Sequence, residues 1–481
     1  MIQYSFSLDD QIGFAQLAGD YNPAHLDPIK ARRTRFGKLV VHGIHALIWA
    51  LEILFHQNSD SLKLVSLKTY FNQPIGLGDP VQFILKTKDK TQAEIQLLCK
   101  SEQAVRIIIC YERYNNKNYF SFPDSNPEVR DCLDRNPGQL ANASGSLELC
   151  LNKIEAALRF PNLMRVLPSN QLAELMALTR LVGMECPGLH SIFSDLNIDF
   201  SNSKDDSTFL SYEVLSYDSR ISLLTQNVQS PSMKGVIRAF LRPPPKFQET
   251  YQDLSKQVKK EEFSNQTALI IGGSRGLGEV TGKLLAGGGA RVVITYHLGV
   301  EEACTIIKQI LEGGGDAKCL AYNALCPNLL QNEDLAGDWF PTHLYYFPTP
   351  LIFQGQKNTF SEALFQEFCD YYVTGFFNIF QTIQKPGDRL QGVFYPSTVA
   401  IDELPADMAE YATAKSAGET LCEWLRKKYP QINIFNPRLP RTATDQTNSL
   451  LPSDNKDPAS LMIEKLRQFR DIGNPISYIS P

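Results

Sequence analysis

No Cys-x-x-Cys pair occurs in the chain, whose ten cysteines are scattered along 481 residues. That excludes a dense disulfide framework and a thiolate zinc site, so free thiols in a reducing cytoplasm, with no metal, are expected. Positive charge is in deficit, with a net charge of −5. Neither nucleic acid nor an anionic membrane is an expected partner for such a chain. Long hydrophobic runs are also missing. The longest, near Gly43–Phe55, contains His45 and is too short to span a bilayer. The opening MIQYSFSLDDQ has no basic stretch leading into an apolar core, so no secretion signal is expected. Only seven histidines occur, yet His25, His42 and His45 fall close together. The rest is 43% hydrophobic and 21% charged, the balance of an ordinary soluble protein with room for about three domains.

The second half alternates short apolar runs with helical patterns. Thr267–Gly273, Arg291–Tyr296, Ala317–Tyr322, Leu344–Phe347, Gly392–Tyr395 and Ile432–Phe435 read as strands. Helices are expected at Leu277–Ala286, Glu301–Leu311, Ser361–Ile383 and Glu410–Lys428. Such alternation predicts an α/β domain with a parallel sheet over residues 265–481. The front half differs. A short helix, Gln11–Ala18, and a long apolar one, His42–Phe55, precede strand-like runs at Lys63–Phe71, Val81–Lys86, Glu94–Lys100 and Ala104–Glu112. The order then recurs, with a helix at Gln171–Gly183 and strands at Ser191–Phe200, Phe209–Ser216, Ser222–Val228 and Lys234–Leu241. This predicts two α+β units of helix wrapped in sheet, over 1–115 and 120–245. The Pro-rich and charged segment 246–264 reads as a linker.

Two constellations carry chemistry. In Phe14–Asp27 (FAQLAGDYNPAHLD), Asp20 and His25 stand five apart across a loop holding Asn22 and Pro23. An Asp that fixes an imidazole, or shares a water with it, activates that water. By spacing alone, the same residues also serve as turn formers and helix caps beside an exposed His25. In the second constellation, Gly272–Gly278 (GGSRGLG) joins an apolar run to a helix. Its glycines admit a pyrophosphate close to the backbone, and the helix N-terminus attracts it. Downstream, Tyr411 and Lys415 share one helical face, and Ser397 follows the run Gly392–Tyr395. An ammonium beside the phenol would lower its pKa, so Tyr411 could pass a proton to a developing alkoxide while Ser397 holds the carbonyl oxygen. No acid ends Arg291–Tyr296, and Arg275 lies in the glycine loop, where a cation meets a 2′-phosphate. NADP(H) is the cofactor expected.

Phe14–His25, with Phe36–Gly43 (FGKLVVHG) and Phe71–Asp79 (FNQPIGLGD), resembles the MaoC-like (R)-specific enoyl-CoA hydratases of the hotdog fold. The resemblance implies that Asp20 and His25 are the catalytic pair and that Asn22 positions the water. It also implies that backbone near Gly43 donates to the thioester oxygen. The second unit has no D-x-N-P-x-H, only His190, which would make a double hotdog with one active half.

Residues 265–450 resemble the short-chain dehydrogenases/reductases. Ser397, Tyr411 and Lys415 match that family's catalytic residues. Gly272, Ser274, Arg275, Gly276, Leu277 and Gly278 match its cofactor loop. Phe347–Pro350 (FPTP) replaces its N-N-A-G, Asn323 its Asp, Tyr372 its helical asparagine, and Pro437–Arg438 its Pro-Gly. The two resemblances together imply a bifunctional enzyme on acyl-CoA or acyl-carrier-protein thioesters, with a homo-oligomer among the assemblies to expect. The alternatives are a hydratase with an inert nucleotide-binding half, and a non-enzymatic binding module.

Overall fold

The alternating runs of the front half all join one sheet. The computed structural model of the chain describes residues 2–114, 121–201, 207–326, 335–384, 389–448 and 454–473. Ten strands come first: β1 (Ile2–Ser5), β2 (Leu62–Phe71), β3 (Pro80–Lys88), β4 (Gln92–Cys99), β5 (Glu102–Arg113), β6 (Ser144–Glu148), β7 (Ser191–Phe200), β8 (Phe209–Asp218), β9 (Leu223–Gln229) and β10 (Met233–Leu241). They pair in the order β1-β3-β4-β5-β2-β7-β10-β9-β8-β6. Read from either edge, the order is the same. The halves meet where β2 pairs antiparallel with β7, from Ser66↔Asp199 to Tyr70↔Asp195. Period-two burial follows the pleat, as in β4, which buries Ala93, Ile95, Leu97 and Cys99.

One helix from each half shares the core under this sheet. Gly43–Leu54 is apolar almost all round and is correspondingly buried. Ser169–Arg180 carries polar residues inward, and each has a partner. Gln171 accepts from Leu64 N at 2.8 Å and donates to Leu64 O at 2.9 Å, next to the β2 register shift. Glu174 accepts from Ser230 Oγ, Ser232 N and Ser232 Oγ at 2.6–2.9 Å, closing the β9–β10 turn. The helix expected at Gln171–Gly183 stops at Arg180 and continues as a π turn, Leu181–Glu185.

A second compact unit starts at Pro245. Its strands are β11 (Thr267–Ile271), β12 (Arg291–Tyr296), β13 (Asp316–Ala321), β14 (His343–Tyr346), β15 (Gly392–Phe394), β16 (Ser397–Thr398), β17 (Asn433–Phe435) and β18 (Arg438–Leu439). Six of them form a parallel sheet in the order β13-β12-β11-β14-β15-β17, and β16 pairs with β18. The strand order reverses between β11 and β14, so the loops after these two strands open a crevice at the sheet's carboxyl edge. Segment 246–264 is not a free linker. Tyr251, Leu254 and Phe263 are buried in the same core as β11, anchors that the surrounding prolines and charges hide in the sequence. The helix expected at Ser361–Ile383 is broken by a π turn at Asp370–Gly375. No helix among the described residues is long and apolar enough to cross a membrane.

Two candidate active sites

The helix Leu8–Ala18 ends at Gly19, whose φ of +74° turns the chain into the Asp20 loop. Asp20 is 1% exposed. Its Oδ2 accepts from Thr179 Oγ1 at 2.6 Å and its Oδ1 from Asn22 N at 3.2 Å. His25 Nδ1–H donates to Val40 O at 2.7 Å, which leaves Nε2 as the basic nitrogen. The His25 ring stacks on His42 at 3.8 Å. His42 is tied to Gln11 Oε1 at 2.8 Å and Asp20 O at 3.0 Å. Asp20, His25 and His42 bring one ligand-type atom each within 4.8 Å of one another. Burial pushes the Asp20 carboxyl above the usual carboxylate range, against the pull of His25, Thr179 and Asn22. Burial pushes His25 down, opposed by Asp20. A neutral imidazole and a desolvated carboxylate are the state suited to handling a water's protons.

Asn22 does not fit the water-positioning role expected of it. Its Oδ1 accepts from Ala24 N at 3.1 Å, capping the turn that carries His25. Its Nδ2 donates to the carbonyls of Gly183, Gly188 and Leu189 at 2.9, 3.3 and 3.3 Å. The amide therefore ties the loop to the second half of the sheet unit. Gly183 touches the same spot, and a Cβ there would sit 2.2 Å from Asp20 Oδ1. Gly43 opens its helix with no side-chain cap from His42. First-turn N–H groups of a helix lack intrahelical partners, so this end suits a thioester oxygen.

In the second unit the glycine loop leaves β11 as expected. Gly272 and Gly276 have φ of +77° and +58°. Gly272 N donates to Thr295 Oγ1 at 3.0 Å, and a Cβ on Gly278 would lie 2.3 Å from Gly272 O. Ser274 is buried, and Leu277 lies in the first turn of the helix Gly276–Gly287. Arg275 is 3.8 Å from the Asp445 carboxylate and 27% exposed, so an incoming phosphate would compete with that pair. Phe347–Pro350 lies beneath the loop, with Pro348 N 3.3 Å from where a Gly272 Cβ would stand.

Ser397, Tyr411 and Lys415 are all buried, but their polar atoms have different partners. Ser397 Oγ donates to Glu419, which also binds Arg438. The hydroxyl that acts on the Tyr411 phenol, lowering its pKa against burial, is that of Thr398. Adjacent strand residues face opposite ways, so only one of the two can meet Tyr411. Lys415 Nζ donates to Pro396 O at 2.8 Å and sits 3.9 Å over the Tyr372 ring. Tyr372 OH in turn meets Thr349 Oγ1 at 2.5 Å, and Tyr395 OH donates to Tyr372 O at 3.0 Å. Burial takes Lys415 down to about 7 and Tyr411 up to about 12. The expected lowering of the phenol is therefore not realised: burial outweighs the pull of the Thr398 hydroxyl.

The first site lies in a segment that matches a family model described as MaoC like domain. Residues 2–104 match it. The chain is also similar to a 3-hydroxybutyryl-CoA dehydratase from Methylorubrum extorquens, with 30% identity over 83 residues, 17% of this chain. The chain spans about half (53%) of that relative's length. Among solved structures, the chain is similar to a short-chain dehydrogenase from Burkholderia cenocepacia in complex with NADP, at 22% identity and TM-score 0.35, covering 42% of this chain and 83% of that one. It is also similar to an oxidoreductase from E. coli, at 19% identity and TM-score 0.40, covering 45% and 95%.

Around the first site, sequence reasoning missed Thr179 and Gly183, which come from the helix and π turn of the unit's second half. No local signal marks them, since Thr179 lies 159 residues from Asp20. Thr398, next to Ser397, also carries a hydroxyl that acts on Tyr411, and a two-residue strand does not tell in sequence which of the two faces it.

Proposed function

We propose that the chain is a bifunctional acyl-thioester enzyme. The first unit is a double hotdog, over 1–115 and 120–245, that adds water to an (R)-specific 2-enoyl thioester or removes it from the 3-hydroxyacyl partner. Asp20 and His25 handle the protons and the Gly43 helix end receives the charge developing on the thioester oxygen. The observation that carries this is the buried Asp20–His25 pair, with the carboxylate held by Thr179 and the imidazole by Val40. The name of the dehydratase relative favours a CoA thioester over a carrier-protein one.

The second unit binds NADP(H) through Gly272, Ser274, Arg275, Gly276, Leu277 and Gly278. Thr398 and Tyr411 hold and protonate the oxygen of a 3-oxoacyl thioester, and Lys415 assists. The strand order and the intact glycine loop support this, and the absence of an acid after Thr295–Tyr296 favours the phosphorylated cofactor. NADP(H) would supply the hydride, and the chain's own residues supply orientation and the proton. Following crotonyl-CoA hydration and NADPH oxidation with a 3-oxoacyl thioester tests the two halves separately. One observation favours a second reading, in which the nucleotide-binding half does not reduce. Tyr372 stands where a relay asparagine would be and its ring covers the Lys415 ammonium. NADPH that binds but is never oxidised, whatever the thioester, would select it.

A further inference from the structure

Arg242 is a buried cation beside the first site. It follows β10, and its N–H bonds His190 O at 2.8 Å, extending the β7–β10 ladder by one step. The residue is 7% exposed. Nη2 donates to Leu189 O at 2.9 Å, whereas Nε is buried with no partner. Asp134 is the acid whose charge acts on it, but that carboxylate is 68% exposed and also approaches His190 Nε2 at 3.4 Å. His190 is itself 9% exposed, with Nδ1 buried and unpartnered. A guanidinium taken out of water with only a solvent-facing carboxylate to balance it is costly, and so is an unmade hydrogen bond at its Nε. An anion joining the cluster would supply the acceptor that Arg242 Nε lacks.

The position of the cluster limits what that anion is. Leu189 O accepts from both Arg242 Nη2 and Asn22 Nδ2, so the guanidinium lies one carbonyl away from the Asp20–His25 loop. Its charge is felt at the His25 ring. The phosphates of a CoA or carrier arm are a whole pantetheine chain away from the thioester and do not reach here. An anion this close to the reacting carbons belongs to the acyl group.

We propose that the first unit acts on enoyl thioesters whose acyl chain ends in a carboxylate, and that Arg242 binds this carboxylate with His190 beside it. This rests on the hydratase function proposed above. The reaction is unchanged, with water oxygen bonding to C3 and a proton to C2, and the carboxylate is a handle rather than a reactant.

The test compares crotonyl-CoA with glutaconyl-CoA, which is crotonyl-CoA bearing a carboxylate on C4. The full-length protein should hydrate the carboxylated thioester with the higher kcat/KM. In Arg242→Gln the ratio of the two kcat/KM values should fall about 10–100-fold, the range for a lost hydrogen bond to a charged group. Arg242→Lys should retain part of the preference, which separates recognition of charge from loss of fold. A preference for crotonyl-CoA in the unmodified protein overturns the proposal. So does a ratio that Arg242→Gln leaves unchanged, because then the arginine serves both substrates alike. If neither thioester is hydrated, the hydratase function itself fails. Calorimetry with the unreactive glutaryl-CoA and butyryl-CoA then decides the anion site alone: tighter glutaryl-CoA binding that Arg242→Gln abolishes supports it, and equal affinities overturn it.

Discussion

Thr179 is the residue on which the first site turns. Its hydroxyl donates to the ionised form of a carboxyl that burial pushes up. Removing the donor raises the Asp20 pKa further, because the charged form loses its bond while the neutral form loses little. Where the carboxylate is the working base, the acidic limb of kcat/KM for hydration then moves to higher pH. Thr179→Val should show this shift together with a rate loss of about tenfold, and Thr179→Ser should restore both. An unmoved limb would show that the bond does not act through Asp20. In the second unit the test is a pair of neighbours. Thr398→Val should cost about 10²-fold in NADPH-dependent reduction, as loss of a donor to a developing oxyanion does. Ser397→Ala should have a much smaller effect, since its hydroxyl is turned towards Glu419. The reverse ranking would return the role to Ser397.

At the scale of elements, apolar periodicity alone located most of the fold. The run expected at Lys63–Phe71 forms β2, Leu62–Phe71, and the helix expected at His42–Phe55 forms Gly43–Leu54. In both, burial repeats at the element's own period, so the signal is local. β1 and β6 escaped because they are short edge strands: all four residues of β1 are exposed, and so are four of the five in β6. The π turn Leu181–Glu185 escaped because nothing in its composition differs from a helix. The helix Ser169–Arg180 also holds a titratable brace. Glu174 is raised from its ordinary 4.5 to about 7 by burial, against the bonds from Ser230 and Ser232. An acid whose folded pKa is raised binds more protons folded than unfolded. Stability is therefore lost as pH rises from about 4.5 to about 7, by up to about 3 kcal/mol. Denaturant unfolding across that range should show the decline, and Glu174→Gln, which keeps the acceptor, should flatten it. A decline that persists in the variant would assign it to another group.

At the scale of the molecule, the two chemistries share one intermediate, the 3-hydroxyacyl thioester. Supplied with a 3-oxoacyl thioester and NADPH, the intact protein should release both the 3-hydroxyacyl and the 2-enoyl products. Asp20→Asn should stop the sequence at the 3-hydroxyacyl stage, with hydration and dehydration lowered about 10²–10⁴-fold, while NADPH consumption continues. Mass spectrometry of the products distinguishes this from a variant that has lost both activities. The mirrored strand order also bears on how such a site changes over time. In a dimer of identical subunits every substitution is made twice, once where it serves and once where it must be tolerated. Here the β2–β7 seam joins two halves written separately in one gene. The second half lacks a D-x-N-P-x-H motif and holds Asp20 through Thr179, so a substitution there is felt at one site only.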